Sequence, residues 1–101
     1  MASYTAKWAK SATLTSTTVD TITLSGGSYR QLCVLNRGAG TITFTYGENT
    51  AGAATPTALG DDMFPVMAGM ALTLPTGGGW TAVVVKIIGN ADAYSVMGLP
   101  V

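Results

Sequence analysis

Thr41-Ile42-Thr43-Phe44-Thr45-Tyr46 alternates polar and apolar residues without a break. A period of two gives one dry face and one wet face only on a β-strand. Ile42, Phe44 and Tyr46 are expected on one side, the threonines on the other. Thr21-Ile22-Thr23-Leu24 repeats the pattern, as does Met70-Ala71-Leu72-Thr73-Leu74, with Met70, Leu72 and Leu74 inward. β-Branched threonine suits such positions, because it fits the pleat and keeps its hydroxyl in water. Leu32–Leu35 and Ala82–Ile88 are apolar on both phases and read as strands covered on both faces, a subunit interface being one candidate cover.

Thirteen glycines and four prolines disfavour long helices and punctuate the strands. Ser25-Gly26-Gly27-Ser28 is expected to end one strand, and Asn36-Arg37-Gly38-Ala39-Gly40 joins two at hairpin length. Gly77-Gly78-Gly79 precedes Trp80 and the most apolar strand. Val66-Met67-Ala68-Gly69 reads as a turn launching the Met70 strand, and Gly89-Asn90-Ala91-Asp92 as a turn before the last one. The expected fold is all-β, a small antiparallel sandwich or barrel of six to eight strands with an extended N-terminal arm. Residues 1–18 form the arm and 19–101 the β-domain. Its expected core is Ile22, Leu24, Leu32, Val34, Ile42, Phe44, Leu72, Leu74, Val83, Val85, Ile87 and Val96.

The chemistry available is narrow. The chain of 101 residues has no histidine, one cysteine and five carboxylates. General acid–base catalysis rests mostly on histidine or paired carboxylates, and zinc sites on clustered cysteine and histidine. Neither set is present, no nucleotide-binding or hydrolase motif occurs, and the expectation is a protein that is not an enzyme and carries no cofactor. Asp61-Asp62 lack the companion oxygen ligands that a calcium site needs. Cys33 lies within Leu32-Cys33-Val34-Leu35, where a thiol behaves as a small hydrophobe.

Charge excludes further classes. Five basic and five acidic residues cancel, and only 10% of residues are charged. A nucleic-acid surface needs a basic patch, which is lacking, and no apolar run is long enough for a transmembrane helix. Sparse charge and a net charge of zero favour self-association, so a homo-oligomer is expected. The start of the chain shows no secretory pattern.

Two segments depart from the strand pattern. The arm is polar, yet it carries Tyr4 and Trp8, with Lys7 and Lys10 as the one local basic pair. Tyr4, Lys7, Trp8 and Lys10 are the candidate partner-binding residues, with Trp8 as anchor and the lysines supplying longer-range attraction. An edge strand packed on its own domain is the alternative for this arm. Removing residues 1–11 is expected to leave the β-domain folded. The second segment, Gly47–Asp62, is too long for a tight turn and dense in small residues. Trp80, Tyr46 and Tyr94 could line a sugar-stacking face, although aromatics on strands are more often core or interface.

Leu35-Asn36-Arg37-Gly38, the Ile42–Tyr46 strand, a small-residue loop, Pro65-Val66-Met67-Ala68-Gly69, then Val83–Ile88 and Tyr94-Ser95-Val96 make a layout similar to the small all-β virion proteins of tailed bacteriophages. It resembles in particular the head decoration, or cement, proteins. The resemblance covers about residues 19–97. It implies a domain that forms trimers, binds the major capsid protein on the outside of a phage head, and is assembled into the virion in the bacterial cytoplasm. A receptor- or glycan-binding module of a phage tail or fibre is the alternative.

Overall fold

The computed structural model describes residues 2–16 and 18–100. Among the described residues there are seven strands: β1 (Ser3–Ala6), β2 (Ala9–Thr13), β3 (Val19–Asn36), β4 (Ile42–Gly47), β5 (Phe64–Val66), β6 (Ala71–Ile88) and β7 (Ala93–Leu99). They form one sheet in the order β2-β7-β3-β6-β4-β5, with β1 on the remaining edge of β3. All pairings are antiparallel except that of β1 with β3.

The two 18-residue strands fold this sheet over on itself. The first half of β3 pairs with the last part of β6, Val19 opposite Ile88 through Ser25 opposite Ala82, and its second half with the start of β6, Gln31 opposite Pro75 through Leu35 opposite Ala71. Between these stretches the register shifts on either side of Tyr29. One layer therefore runs β1, early β3, late β6, β4, β5, and the other runs β2, β7, late β3, early β6. Gly26-Gly27 and Gly77-Gly78-Gly79 lie inside these strands rather than ending them. Gly26 and Gly79 take φ of +89° and +80°, which only glycine adopts at little cost, so the residues expected as turns act as bends.

The core lies between the layers. Ten of the twelve expected core residues are buried, and Leu72 and Leu74 pack against them half-buried. Leu14, Tyr29, Val66 and Tyr94 complete the core. Three expectations on facing are corrected. Met70 is 57% exposed, because β6 begins at Ala71 and Met70 closes the preceding turn, its N–H donating to Met67 O at 3.0 Å. Thr43 and Thr45 are buried rather than wet, because the 48–63 loop lies across their face. Thr45 Oγ1 donates to Ala54 O, and Leu59 N donates to Thr43 Oγ1 at 3.1 Å. Lys86 on the same phase reaches Thr50 O at 3.1 Å. Part of the outer cover expected over Ala82–Ile88 is thus supplied by the chain itself.

At one end of the molecule, three connections cross between the layers: residues 37–41, 67–70 and 89–92. The first is a crossover and not a hairpin, since β4 pairs with β6 and not with β3. Buried Asn36 binds the crossings together. Its Nδ2 donates to Gly40 O at 2.7 Å and to Val66 O at 2.8 Å, and its Oδ1 accepts from Gly38 N at 2.9 Å. Buried Asp92 accepts from Gly40 N at 2.8 Å and Asn90 N at 3.1 Å. These groups are shielded from water and would each cost free energy if left unpaired.

The arm is part of the sheet. β1 lies beside β3 with Ser3 opposite Thr21 and Ala6 opposite Leu24, and β2 pairs with β7 along its length. Tyr4, Ala6 and Ala12 pack against the core. The arm thus packs on its own domain as the outermost strand of each layer on this side.

Candidate functional site

Between β1 and β2 the chain crosses from one layer to the other through Lys7 and Trp8. Tyr29, in the bend of β3, donates its hydroxyl hydrogen to Lys7 O, and Gly98 N donates to Trp8 O at 2.8 Å. The Trp8 ring sits over Gly27, where a Cβ would stand only 2.7 Å from its Cη2, and meets Tyr29 edge-on at 5.4 Å. Fixed from below, the indole still exposes 39% of its surface. Lys7 Nζ lies 5.7 Å from the Trp8 ring centroid, and Lys10 Nζ lies 4.7 Å from that of Tyr4.

The structure thus brings Tyr4, Lys7, Trp8 and Lys10 together at one corner in two cation–aromatic pairs. They do not present equally. Lys7 and Trp8 point to solvent, whereas Tyr4 and Lys10 are half-buried on the inward phase. An exposed pair such as Lys7 with Trp8 is worth about 0.5–1 kcal/mol; the packing of the indole on Gly27 and Tyr29 is what holds the ring in place.

A second exposed region escaped the sequence reading. Pro65, Val66, Met67, Met70, Ala71 and Leu72 line a groove of about 180 Å³ where β5 turns into β6. Met67 is 65% exposed at its rim. Gly69, with φ of +75°, makes the turn, and Asn36 N bonds Met70 O at 2.9 Å. The available signal was a pair of methionines on either side of Ala68-Gly69, since exposed methionine at a turn has no packing reason to be there. Asp61 and Asp62 are exposed just upstream of this groove.

The three aromatics considered for sugar stacking do not share a face. Tyr94 is fully buried, and its hydroxyl donates to Asp20 Oδ2 at 2.9 Å. Burial foremost, then the hydrogen bond and charge of Asp20, push the Tyr94 phenol far above its ordinary range. Tyr46 and Trp80 are half-buried with ring centroids 6.2 Å apart and planes tilted by 55°. Tyr46 is tied by its hydroxyl to Pro75 O at 2.8 Å. Among the described residues no group of three or more His, Cys, Asp or Glu side chains converges as metal ligands do.

No family model matches the chain, and no curated protein matches it. Solved structures do. The crystal structure of PirA is similar with a TM-score of 0.59 at 13% identity, over 92% of this chain and 94% of that one. A de novo designed double-stranded β-helix is similar with a TM-score of 0.55 at 6% identity, over 90% and 97%. The Tobacco streak virus coat protein has a TM-score of 0.41 at 12% identity, over 91% and 87%. At such identities the first two likenesses concern the fold alone: an all-β, predominantly antiparallel sheet curled into a jelly-roll-like half-barrel.

Proposed function

We propose that this chain is a structural virion protein, a decoration or cement subunit that binds the outside of a phage head and stabilises it. It acts by burying surface against the major capsid protein and against its own copies, and not by catalysis. The layout of residues 19–97 supports the family reading. The observation that carries the binding role is the β1–β2 corner, where Trp8 is held half-exposed on a rigid base with Lys7 beside it. A preordered aromatic anchor loses little conformational entropy on docking, and truncating such an anchor typically costs about 2 kcal/mol or more of binding. Many copies on a lattice make modest single contacts effective. The working form is a homo-oligomer, a trimer in the family reading, assembled in the bacterial cytoplasm onto the virion.

Co-sedimentation with undecorated capsids tests this. Wild-type protein should pellet with the particles, and Trp8→Ala with Lys7→Ala should remain in the supernatant while keeping its β-sheet circular dichroism. Wild-type protein that does not bind any capsid lattice would remove the reading. The half-exposed Tyr46–Trp80 pair favours the second reading, a glycan-binding module of a tail or fibre. Binding on a glycan array that is lost in Trp80→Ala and kept in Trp8→Ala would establish it instead.

A further inference from the structure

We propose that copies of this chain associate head to tail, the β1–β2 corner of one copy docking into the β5–β6 groove of the next. This rests on the corner being a partner-binding site and names a second copy as the partner its indole meets, so that the Trp8 and Lys7 variant would lose capsids through loss of the oligomer.

The two corners lie on opposite sides of the molecule. In each layer, β1 and β2 are the outermost strands on one side, and β5 and the Ala71–Pro75 stretch of β6 are outermost on the other. A chain therefore cannot close one corner on its own other corner, whereas a neighbour can.

Their chemistry is complementary. One side offers a half-exposed indole, packed on Gly27 and Tyr29, with exposed Lys7 next to it. The other offers a groove of Pro65, Met67, Met70 and Leu72, with Asp61 and Asp62 exposed a few residues upstream. Methionine is the side chain best able to mould to an aromatic ring, and its sulfur attracts the ring edge. Lysine meeting aspartates fixes the polarity of the contact. Two copies of Lys7 brought together would repel, which penalises the pairing of like corners.

The edges favour side-chain docking over strand addition. Pro65 lies in the edge strand β5 and Pro75 in the free stretch of β6, and each removes a backbone donor from its edge. A contact between two different patches is heterologous, so repetition closes into a ring, or runs on if the rotation does not close.

Sedimentation velocity of the full purified chain, without capsids, reads the prediction. Wild-type protein should associate in a concentration-dependent way. Trp8→Ala with Lys7→Glu (knob lost) and Met67→Asp with Met70→Asp (groove lost) should each weaken self-association by roughly 30-fold or more. Because each variant keeps one intact patch, an equimolar mixture of the two should form a dimer that neither forms alone. Lys7→Glu combined in one chain with Asp61→Lys and Asp62→Lys should restore the association that either charge reversal alone weakens. Circular dichroism confirms that each variant is folded. Wild-type protein that stays monomeric to its solubility limit overturns the proposal. So do folded knob and groove variants that associate like wild type, or a mixture that remains monomeric. Capsid binding is a separate reading: a head-to-tail oligomer that ignores capsids defeats the virion role alone, and a monomer that coats them defeats this inference alone.

Discussion

Tyr94 donates its hydroxyl hydrogen to Asp20 Oδ2 at 2.9 Å inside the core, joining residues 74 positions apart. The second carboxylate oxygen accepts from Ala2 N at 3.3 Å. Asp20 is 1% exposed, so a lost donor is not replaced by water. Tyr94→Phe is therefore expected to destabilise the domain by about 1–3 kcal/mol, the cost of a buried acceptor left without its partner. Urea denaturation measures it.

The same pair gives a pH dependence. The folded protein holds the Tyr94 phenol protonated well above the ordinary tyrosine pKa of about 10, while the unfolded chain releases that proton near it. Above about pH 10 the unfolded state binds fewer protons, so this contribution to stability is full below that pH and falls by about 1.4 kcal/mol per further unit. The difference in unfolding free energy between wild type and Tyr94→Phe should narrow steadily across that window. A pH-independent difference would show that the phenol ionises equally in both states.

Phe44 is fully buried and meets Phe64 at 5.4 Å and Tyr46 at 6.4 Å between ring centroids. Phe44→Ala should cost about 3–5 kcal/mol, as large-to-small changes in a packed core do. A denaturation midpoint matching wild type would contradict its place in the core.

Asn36→Ala should cost roughly 2–4 kcal/mol, because it strips partners from Gly38 N, Gly40 O and Val66 O together. Asn36→Asp should fail to rescue it, since a carboxylate cannot donate to the two carbonyls. Thermal melts of the two variants distinguish lost donors from lost volume.

Leu59 is 70% exposed and adopts φ of +53°. A branched side chain pays about 1–2 kcal/mol in that left-handed region, which asparagine tolerates. Leu59→Asn should raise stability by about 0.5–1 kcal/mol and leave the Leu59 N to Thr43 Oγ1 bond in place. A lower melting temperature would place the side chain in a contact that matters.

Deletion of residues 1–11 no longer serves as a clean test of binding. It removes β1, most of β2, the Lys7 carbonyl that takes the Tyr29 hydroxyl, and the Ala2 amide on Asp20. The truncated chain is expected to lose several kcal/mol or to fail to fold, since two sheet edges and two buried polar partners go together. Its melting curve against that of Trp8→Ala separates the structural role of the strands from the exposed role of the indole.

Strand phase was legible because it is local. Ile22, Leu24, Ile42, Phe44 and Val96 face inward where period-two alternation puts them. Thr43 and Thr45 obeyed the same alternation and are nonetheless buried, because the loop that covers them arrives from residues 48–63 and leaves no mark on the strand itself. Gly26-Gly27 and Gly77–Gly79 give the same local signal whether a strand ends or bends. Only the pairing of Val19–Asn36 with Ala71–Ile88 decides between them. Of the site, the unusual company of Trp8 and two lysines in a polar segment was visible. Its anchorage on Tyr29 and Gly27 was not, since that depends on a bend 20 residues away in the chain.

β3 and β6 each run through both layers, and this sets the order in which the domain can form. No layer has a complete set of neighbours until the stretch from Ala71 to Ile88 has left the ribosome, so β1 and β3 must wait with their edges unsatisfied while residues 37–70 are made. Long-range pairing of this kind slows folding, and the waiting strands are exposed to wrong partners. The burst of sheet formation should come late and all at once, both layers in a single cooperative step, because neither can be zipped without bending the same two strands.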